Sequence, residues 1–212
     1  RNMIEAGSGR TIMGNHEFTA IGYATKRNDS NEYLSFHNEN KVKQHKEFLR
    51  QVGWESPLHK ELVAWFKTLP PFLDLGSIRL CHAWWNQEFI DKVAEVSNTN
   101  GVIDEEFLFA AFKKGSKEKT IMDGITKGLE ISLPEGSNYY DHAGTEREII
   151  RTRWWDDKAI TYRKAAIVPE HQLESIPDVL LPNTLKPGNR SSVPTFLGHY
   201  WLTGVPAIQN AK

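Results

Sequence analysis

A short apolar run, Thr11-Ile12-Met13, breaks at Gly14 and is followed at once by Asn15-His16-Glu17, after which Phe18-Thr19-Ala20-Ile21-Gly22-Tyr23 has a helix-like composition. The order of strand, tight glycine turn, polar residues and helix start places side chains at the carboxyl end of a strand, where open α/β sheets bind their ligands. An Asn amide oxygen is a hard donor suited to divalent cations that prefer oxygen, and His extends the set to Zn, Fe or Mn. The same tetrapeptide also reads as an ordinary turn, because Asn tolerates the left-handed conformation and hydrogen-bonds its own backbone. It acquires meaning only through partners elsewhere in the chain.

Two such partners are present. Residues 71–75 and 78–81 read as short strands joined at Gly76-Ser77, and the second ends at His82-Ala83-Trp84-Trp85. Residues 193–197 read as a further strand, ending at Gly198-His199-Tyr200-Trp201. If the strands share a sheet, their carboxyl ends converge on one rim, and Asn15, His82 and His199 can bind one metal ion. The intervals, 67 and 117 residues, rule out a compact zinc-finger type of motif.

The rest of the chain alternates helical and strand patterns. Residues 1–6 read as the end of a helix with Gly7 as C-cap, and 10–13 as a short strand. Residues 26–40 are polar and read as a surface loop. Over 41–52, His45, Phe48, Leu49 and Val52 mark an amphipathic helix stopped by Gly53. Ser56-Pro57 then supplies an N-cap and a first-turn proline; the expected buried face of this next helix is Leu58, Leu62, Trp65, Phe66 and Leu69, and Pro70-Pro71 ends it. His45 and His59 read as surface or packing residues. Helices are expected over 86–95, 104–113 and 118–127. Strands are expected over 148–155, where Arg151 and Arg153 lie opposite Ile150, Thr152 and Trp154, and over 165–170. Residues 177–194 hold four prolines and read as loop.

Composition bounds the class. The 212 residues suffice for a buried core, with one domain the natural expectation. A charged fraction of 25% and 39% hydrophobic residues fit a globular chain rather than a disordered one. A formal net charge of −1 argues against a strongly basic nucleic-acid footprint. The one cysteine, Cys81, excludes an internal disulfide and a cysteine-based zinc motif. With no long apolar run and no signal-peptide pattern, a cytoplasmic location is expected. The start at Arg1 rather than Met points to a processed end or a piece of a longer chain.

Gly14-Asn15-His16-Glu17, a strand-end His82 and Gly198-His199, in that order, resemble the calcineurin-like metallophosphoesterase superfamily. The nearest branches are the bacterial diadenosine tetraphosphatase and protein-phosphatase-like enzymes, together with the phosphatase module of bacterial polynucleotide kinase-phosphatase; Arg151-Thr152-Arg153-Trp154-Trp155 fits that group too. The resemblance implies an α/β (α+β) fold, a β-sandwich flanked by helices, spanning 1–212 with a mainly helical cap insertion over about 95–190. It implies two divalent metal ions (Mn favoured over Fe, Zn or Mg) that clamp phosphate for in-line attack of water. Asn15, His82 and His199 would hold one ion, and His16 would be the catalytic acid, with Glu17 fixing the loop. The partner would be a phosphoprotein, a dinucleoside polyphosphate or another phosphate ester.

The family's upstream Asp-x-His and Gly-Asp-x-x-Asp-Arg-Gly motifs do not occur in the 13 residues before Gly14. The expectation is therefore an incomplete domain with half of a binuclear site and little or no hydrolase activity alone. The alternative is a non-catalytic binding protein that keeps the fold. Arg151 and Arg153 either reach a substrate phosphate or lie solvated beside a packed Trp154. Trp84 and Trp85 either stack a nucleobase or pack in the core. His37, His142 and His171 read as surface residues.

Overall fold

In a computed structural model the chain is described over residues 1–185, 191–200 and 202. The class is mixed α/β. The described residues form two compact units, one from Arg1–Lys127 with Thr195–His199, the other from Gly128–Pro194 with Tyr200.

The first unit holds α1 (Asn2–Glu5), α2 (Asn15–Ala24), α3 (Glu39–Val52), α4 (Pro57–Phe66), β1 (Phe72–Asp74), β2 (Arg79–Cys81), α5 (Gln87–Glu95), α6 (Glu105–Ala110) and α7 (Lys117–Lys127). Their ends follow the local chemistry. Asn38, Ser56, Asn86 and Asp104 each accept a backbone N–H three residues on and so cap α3, α4, α5 and α6. Gly53 ends α3 in the left-handed region at φ 77°, which a residue without Cβ adopts cheaply.

Helix α2 is the axis of this unit and packs against α4 and α7. Phe18 and Ile21 on α2, Met13 before it, and Met122 and Ile125 on α7 are almost wholly buried. Phe18 stacks on Phe112 with ring centroids 4.4 Å apart. A Cβ on Gly22 would lie 2.2 Å from the Phe112 ring and 2.6 Å from Ser35 Oγ, so the absence of a side chain there sets how closely the chain packs.

The sheet of this unit has the order β1-β2-β8, where β8 is Thr195–Leu197. β1 and β2 form the expected antiparallel hairpin, with Phe72 opposite Cys81. β8 returns from far along the chain to lie parallel to β2, with Cys81 opposite Leu197.

The second unit contains β3 (Glu130–Ser132), β4 (Tyr139–Tyr140), β5 (Glu146–Arg147), β6 (Ile149–Thr152), α8 (Tyr162–Ala165) and β7 (Ala166–Ile167), then 3-10 turns at Glu170–Ser175 and Asn183–Leu185. β6 pairs antiparallel with both β3 and β7, and β4 with β5. Ile131, Ile150, Ala165 and Ile176 form its core. The alternation expected along β6 holds, since Ile150, Thr152 and Trp154 are buried while Arg151 is exposed.

Several expectations need correction. The run 10–13 is not a strand; it is extended chain tied down by a bond from Met13 N–H to Pro70 O at 2.8 Å. α4 buries His59 and Val63 rather than Leu58, which is 48% exposed, because the face turned to its neighbours is rotated by one residue. No sandwich is evident among the described residues: strands of two to four residues in sheets of two or three strands give no pair of broad apolar faces to stack. Within 95–190, α7 packs with α5 and α6 in the first unit, and the residues from Gly128 onward are mostly strands and loops.

Candidate metal and phosphate site

The parallel pairing of β2 with β8 is what assembles the site. With Cys81 opposite Leu197, the next residues of both strands leave the sheet at the same edge, and Gly198 N–H donates to His82 O at 3.1 Å. The rings of His82 and His199 then lie 5.3 Å apart, at 68° to each other. His199 adopts φ 56°, a left-handed conformation rare for a residue with a side chain and costly by about 1 kcal/mol or more.

The third predicted ligand arrives from α2. Gly14 is the N-cap and Asn15 the first residue of the helix, so the polar residues occupy the first helical turn rather than a separate loop. His82 Nε2–H donates to Asn15 Oδ1 at 2.8 Å. Two lone pairs cannot face each other at that distance, so a proton on Nε2 joins them; a cation can take the place of that proton. Burial holds the His82 imidazolium below its ordinary range; Glu17 opposes this shift and His16 adds to it. The ring is thereby kept neutral, as a metal ligand must be.

Gly14 is required by this packing. A Cβ there would sit 3.0 Å from Nδ1 and Cε1 of His82 and 2.8 Å from Glu17 Oε2. Glu17 reaches back to accept the Gly14 N–H at 3.0 Å, the reciprocal half of a capping box. Its carboxylate therefore fixes the turn, as expected. His16, the next residue, is solvent-exposed, at the mouth of the helix N-terminus.

Positive charge gathers along the neighbouring helices. Asp123 bridges Lys119 and Lys127 on α7, with both Nζ–O distances 2.6 Å. Lys41 on α3 is half-buried, and burial, reinforced by Lys127 and Lys119, lowers its pKa from the ordinary value. Ala83 N–H, directly after His82, donates to Ile125 O on α7 at 2.9 Å, so this helix is tied to the end of β2.

Asn15, His82 and His199 are thus brought together, with His16 adjacent in the chain. Among the described residues no group of three or more His, Cys, Asp or Glu side chains is arranged to hold a metal ion. The donor set is one amide oxygen and two imidazoles, which fits one borderline cation and falls short of two. Arg151 pairs loosely with Glu130 at 3.5 Å. Arg153 lines a separate pocket of about 560 Å³ with Lys158, Lys164 and Arg163. Trp85 is buried in the core, T-shaped on Phe72 and beneath Arg79. Cys81, behind the site, is a free and buried thiol whose pKa burial pushes up to about 12.

A second set of histidines gathers at the other end of α2, where the packing alternative holds for His45 and His59. His45 and His59 are buried, at 4% and 3% exposure. His37 stacks on Tyr23 at 3.8 Å and on Tyr33 at 4.4 Å, and bonds Tyr23 O at 2.7 Å. His45 tilts against the other side of this group, 4.5 Å from Tyr23. The position of His45 on the apolar stripe of α3 is the signal that carries this.

No helix of the described residues is long and apolar enough to cross a membrane. Comparison with protein-family models, with curated proteins and with solved structures finds no match.

Proposed function

We propose that this chain carries the metal-and-acid half of a metal-dependent phosphoesterase site of the calcineurin-like kind. The observation that carries the reading is the convergence of three predicted ligands from distant parts of the chain: His82 hydrogen-bonded to Asn15 at 2.8 Å and His199 packed against His82 at 5.3 Å. Packing alone gives no reason for an amide and two imidazoles to meet at the carboxyl ends of two parallel strands. In this reading the β1-β2-β8 sheet is the ligand-bearing rim.

Asn15, His82 and His199 would hold a divalent ion, Mn²⁺ being favoured. The ion supplies Lewis-acid neutralisation of a phosphoryl oxygen and a lowered water pKa. The protein's own groups do the rest. The N-terminus of α2, ten residues long, points free N–H groups and the positive end of the helix dipole toward the phosphate. His16, exposed beside it, donates a proton to the leaving oxygen, a role suited to imidazole. Lys41, Lys119 and Lys127 outnumber Asp123 and favour a polyanionic substrate. That substrate is a phosphoprotein, a dinucleoside polyphosphate or a related ester, in a cytoplasmic setting.

Because carboxylate ligands for a second ion are not among these residues, hydrolysis of an aryl phosphate by the 212-residue chain is expected to be weak. Mn²⁺ titration with metal analysis is the direct test. One ion per chain, lost in both His82→Ala and Asn15→Ala, is expected. A folded chain that binds no ion, or keeps it in His82→Ala, overturns the assignment. Tight binding of a single ion with no turnover, even when the missing carboxylates are supplied on an adjoining segment, would favour the alternative of a binding protein that keeps the fold.

A further inference from the structure

Away from the metal-ligand candidates, a cleft of about 350 Å³ opens between the carboxyl end of α2 and the face of α4. That is within the usual range for small-molecule sites. Its base is small and apolar, Ala24 from α2 and Val63 and Ala64 from α4. Trp54 forms one wall and remains 40% exposed although its ring is T-shaped to Tyr23 and His37 and tilted on His59. An indole anchored by neighbouring rings yet open to solvent is a ready platform for a planar ligand.

The walls are cationic. Lys26, Lys60 and Lys67 line the cleft against one carboxylate, Glu55, and that carboxylate already accepts Tyr33 O–H at 3.3 Å. Lys60 and Lys67 are seven residues apart, so they stand on one face of the helix about 10 Å apart along its axis. Burial holds the Lys67 ammonium below its ordinary range, and the first opposing influence is the carboxylate of Glu105 on another helix. An anion in the cleft would offset that desolvation.

One further observation points to a ligand. Glu55, in the loop that presents Trp54, sits at φ 56°, and such backbone strain is concentrated at ligand clamps and switches.

We propose that this cleft binds a nucleoside monophosphate, its base on Trp54 and its phosphate between Lys60 and Lys67. The proposal is independent of the phosphoesterase reading, since none of Asn15, His16, His82 or His199 lines the cleft.

Titration of the whole chain with AMP, adenosine and inorganic phosphate, followed by tryptophan fluorescence and calorimetry, tests it. AMP is expected to bind with a Kd of about 0.01–1 mM, and adenosine or phosphate at least about tenfold more weakly. Lys67→Met is expected to weaken AMP by about tenfold. Ala64→Trp, an exposed helical position that fills the cleft, is expected to abolish binding with an unchanged melting temperature. Trp54→Ala removes the platform but also four ring contacts, so Ala64→Trp is the decisive variant. His82→Ala is expected to bind AMP normally. Failure of the folded chain to bind AMP, equal affinity in Ala64→Trp, or loss of binding in His82→Ala would each overturn the proposal.

Discussion

Helix α2 has histidines gathered at both of its ends, and the two groups are built on opposite principles. At the amino end, His82 and His199 meet an amide oxygen at a strand edge, with an exposed His16 beside them. At the carboxyl end, His37, His45 and His59 are stacked among Tyr23, Tyr33, Trp54 and Phe48. In the first group His82 directs a ring nitrogen at the Asn15 amide oxygen. In the second His37 bonds Tyr23 O, the rings stack on their neighbours, and His45 Nε2 is left buried without a hydrogen-bond partner among the described residues. The contrast is sharpest between His82, held through its nitrogen, and His45, held through its ring face.

That contrast can be broken by substitution. The largest expected effect is on metal affinity: His82→Ala should lower Mn²⁺ binding by about 100-fold or more, whereas His45→Ala should change it by less than about threefold. Calorimetry on the two variants decides, and equal losses would erase the distinction. For stability the order reverses. His45→Ala is expected to cost about 2–4 kcal/mol in denaturant unfolding, as for other large-to-small core changes, and His82→Ala much less.

The pH dependence of stability sharpens the point. Burial, followed by the charges of Lys41, His16, His37 and His59, lowers the His45 pKa from 6.5 to about 4. The folded state therefore prefers the neutral ring. Stability from this group is full above pH 6.5, falls as pH drops toward 4, and levels off below that. The loss is about 3 kcal/mol. His45→Phe, which keeps a ring and removes the unpartnered nitrogen, should flatten the curve while holding stability at pH 7 within about 1 kcal/mol. An unchanged slope in His45→Phe would assign the dependence elsewhere. The smallest effect is expected for Glu17→Gln: about 0.5–1 kcal/mol of stability, with the Mn²⁺ stoichiometry intact, because Glu17 caps the turn rather than binding the ion.

The meeting of Asn15, His82 and His199 was legible in the sequence because each follows a short apolar run. Two of those runs are strands, and the pairing of Cys81 with Leu197 puts their ends side by side. The third, ending at Met13, binds the sheet's approach through a single bond to Pro70 O, and nothing in three apolar residues tells a ladder from one anchored contact. The cap at Ser56 was equally readable, being a one-residue signal, and the helices expected from residues 86 and 104 begin one residue later, at Gln87 and Glu105. The buried face of α4 was not. Leu58, Leu62, Val63, Trp65 and Phe66 spread over more than one stripe, so the polar Lys60 and Glu61 fix the rotation only coarsely, and the neighbours on α2 and in the Trp54 loop chose His59 and Val63. The packing of α6 and α7 with the first unit was hidden for the same kind of reason, because a helix's apolar stripe does not say which neighbour covers it.

The pairing of β2 with β8 also has a kinetic consequence. Arg79 and Thr195 are partners across more than half of the chain. Contacts so distant in sequence form late, since the entropy of closing the intervening loop is lost before the contact rewards it. During synthesis at roughly 5–20 residues per second, Asn15 and His82 would wait on the order of ten seconds for His199 to emerge. In that interval Gly128 onward can collapse on its own core of Ile131, Ile150 and Ile176. His199, the last of the three proposed ligands, thus arrives with the last strand. Acquisition of the ion would report the end of folding, and a chain stalled or cleaved before Thr195 would carry Asn15 and His82 without His199.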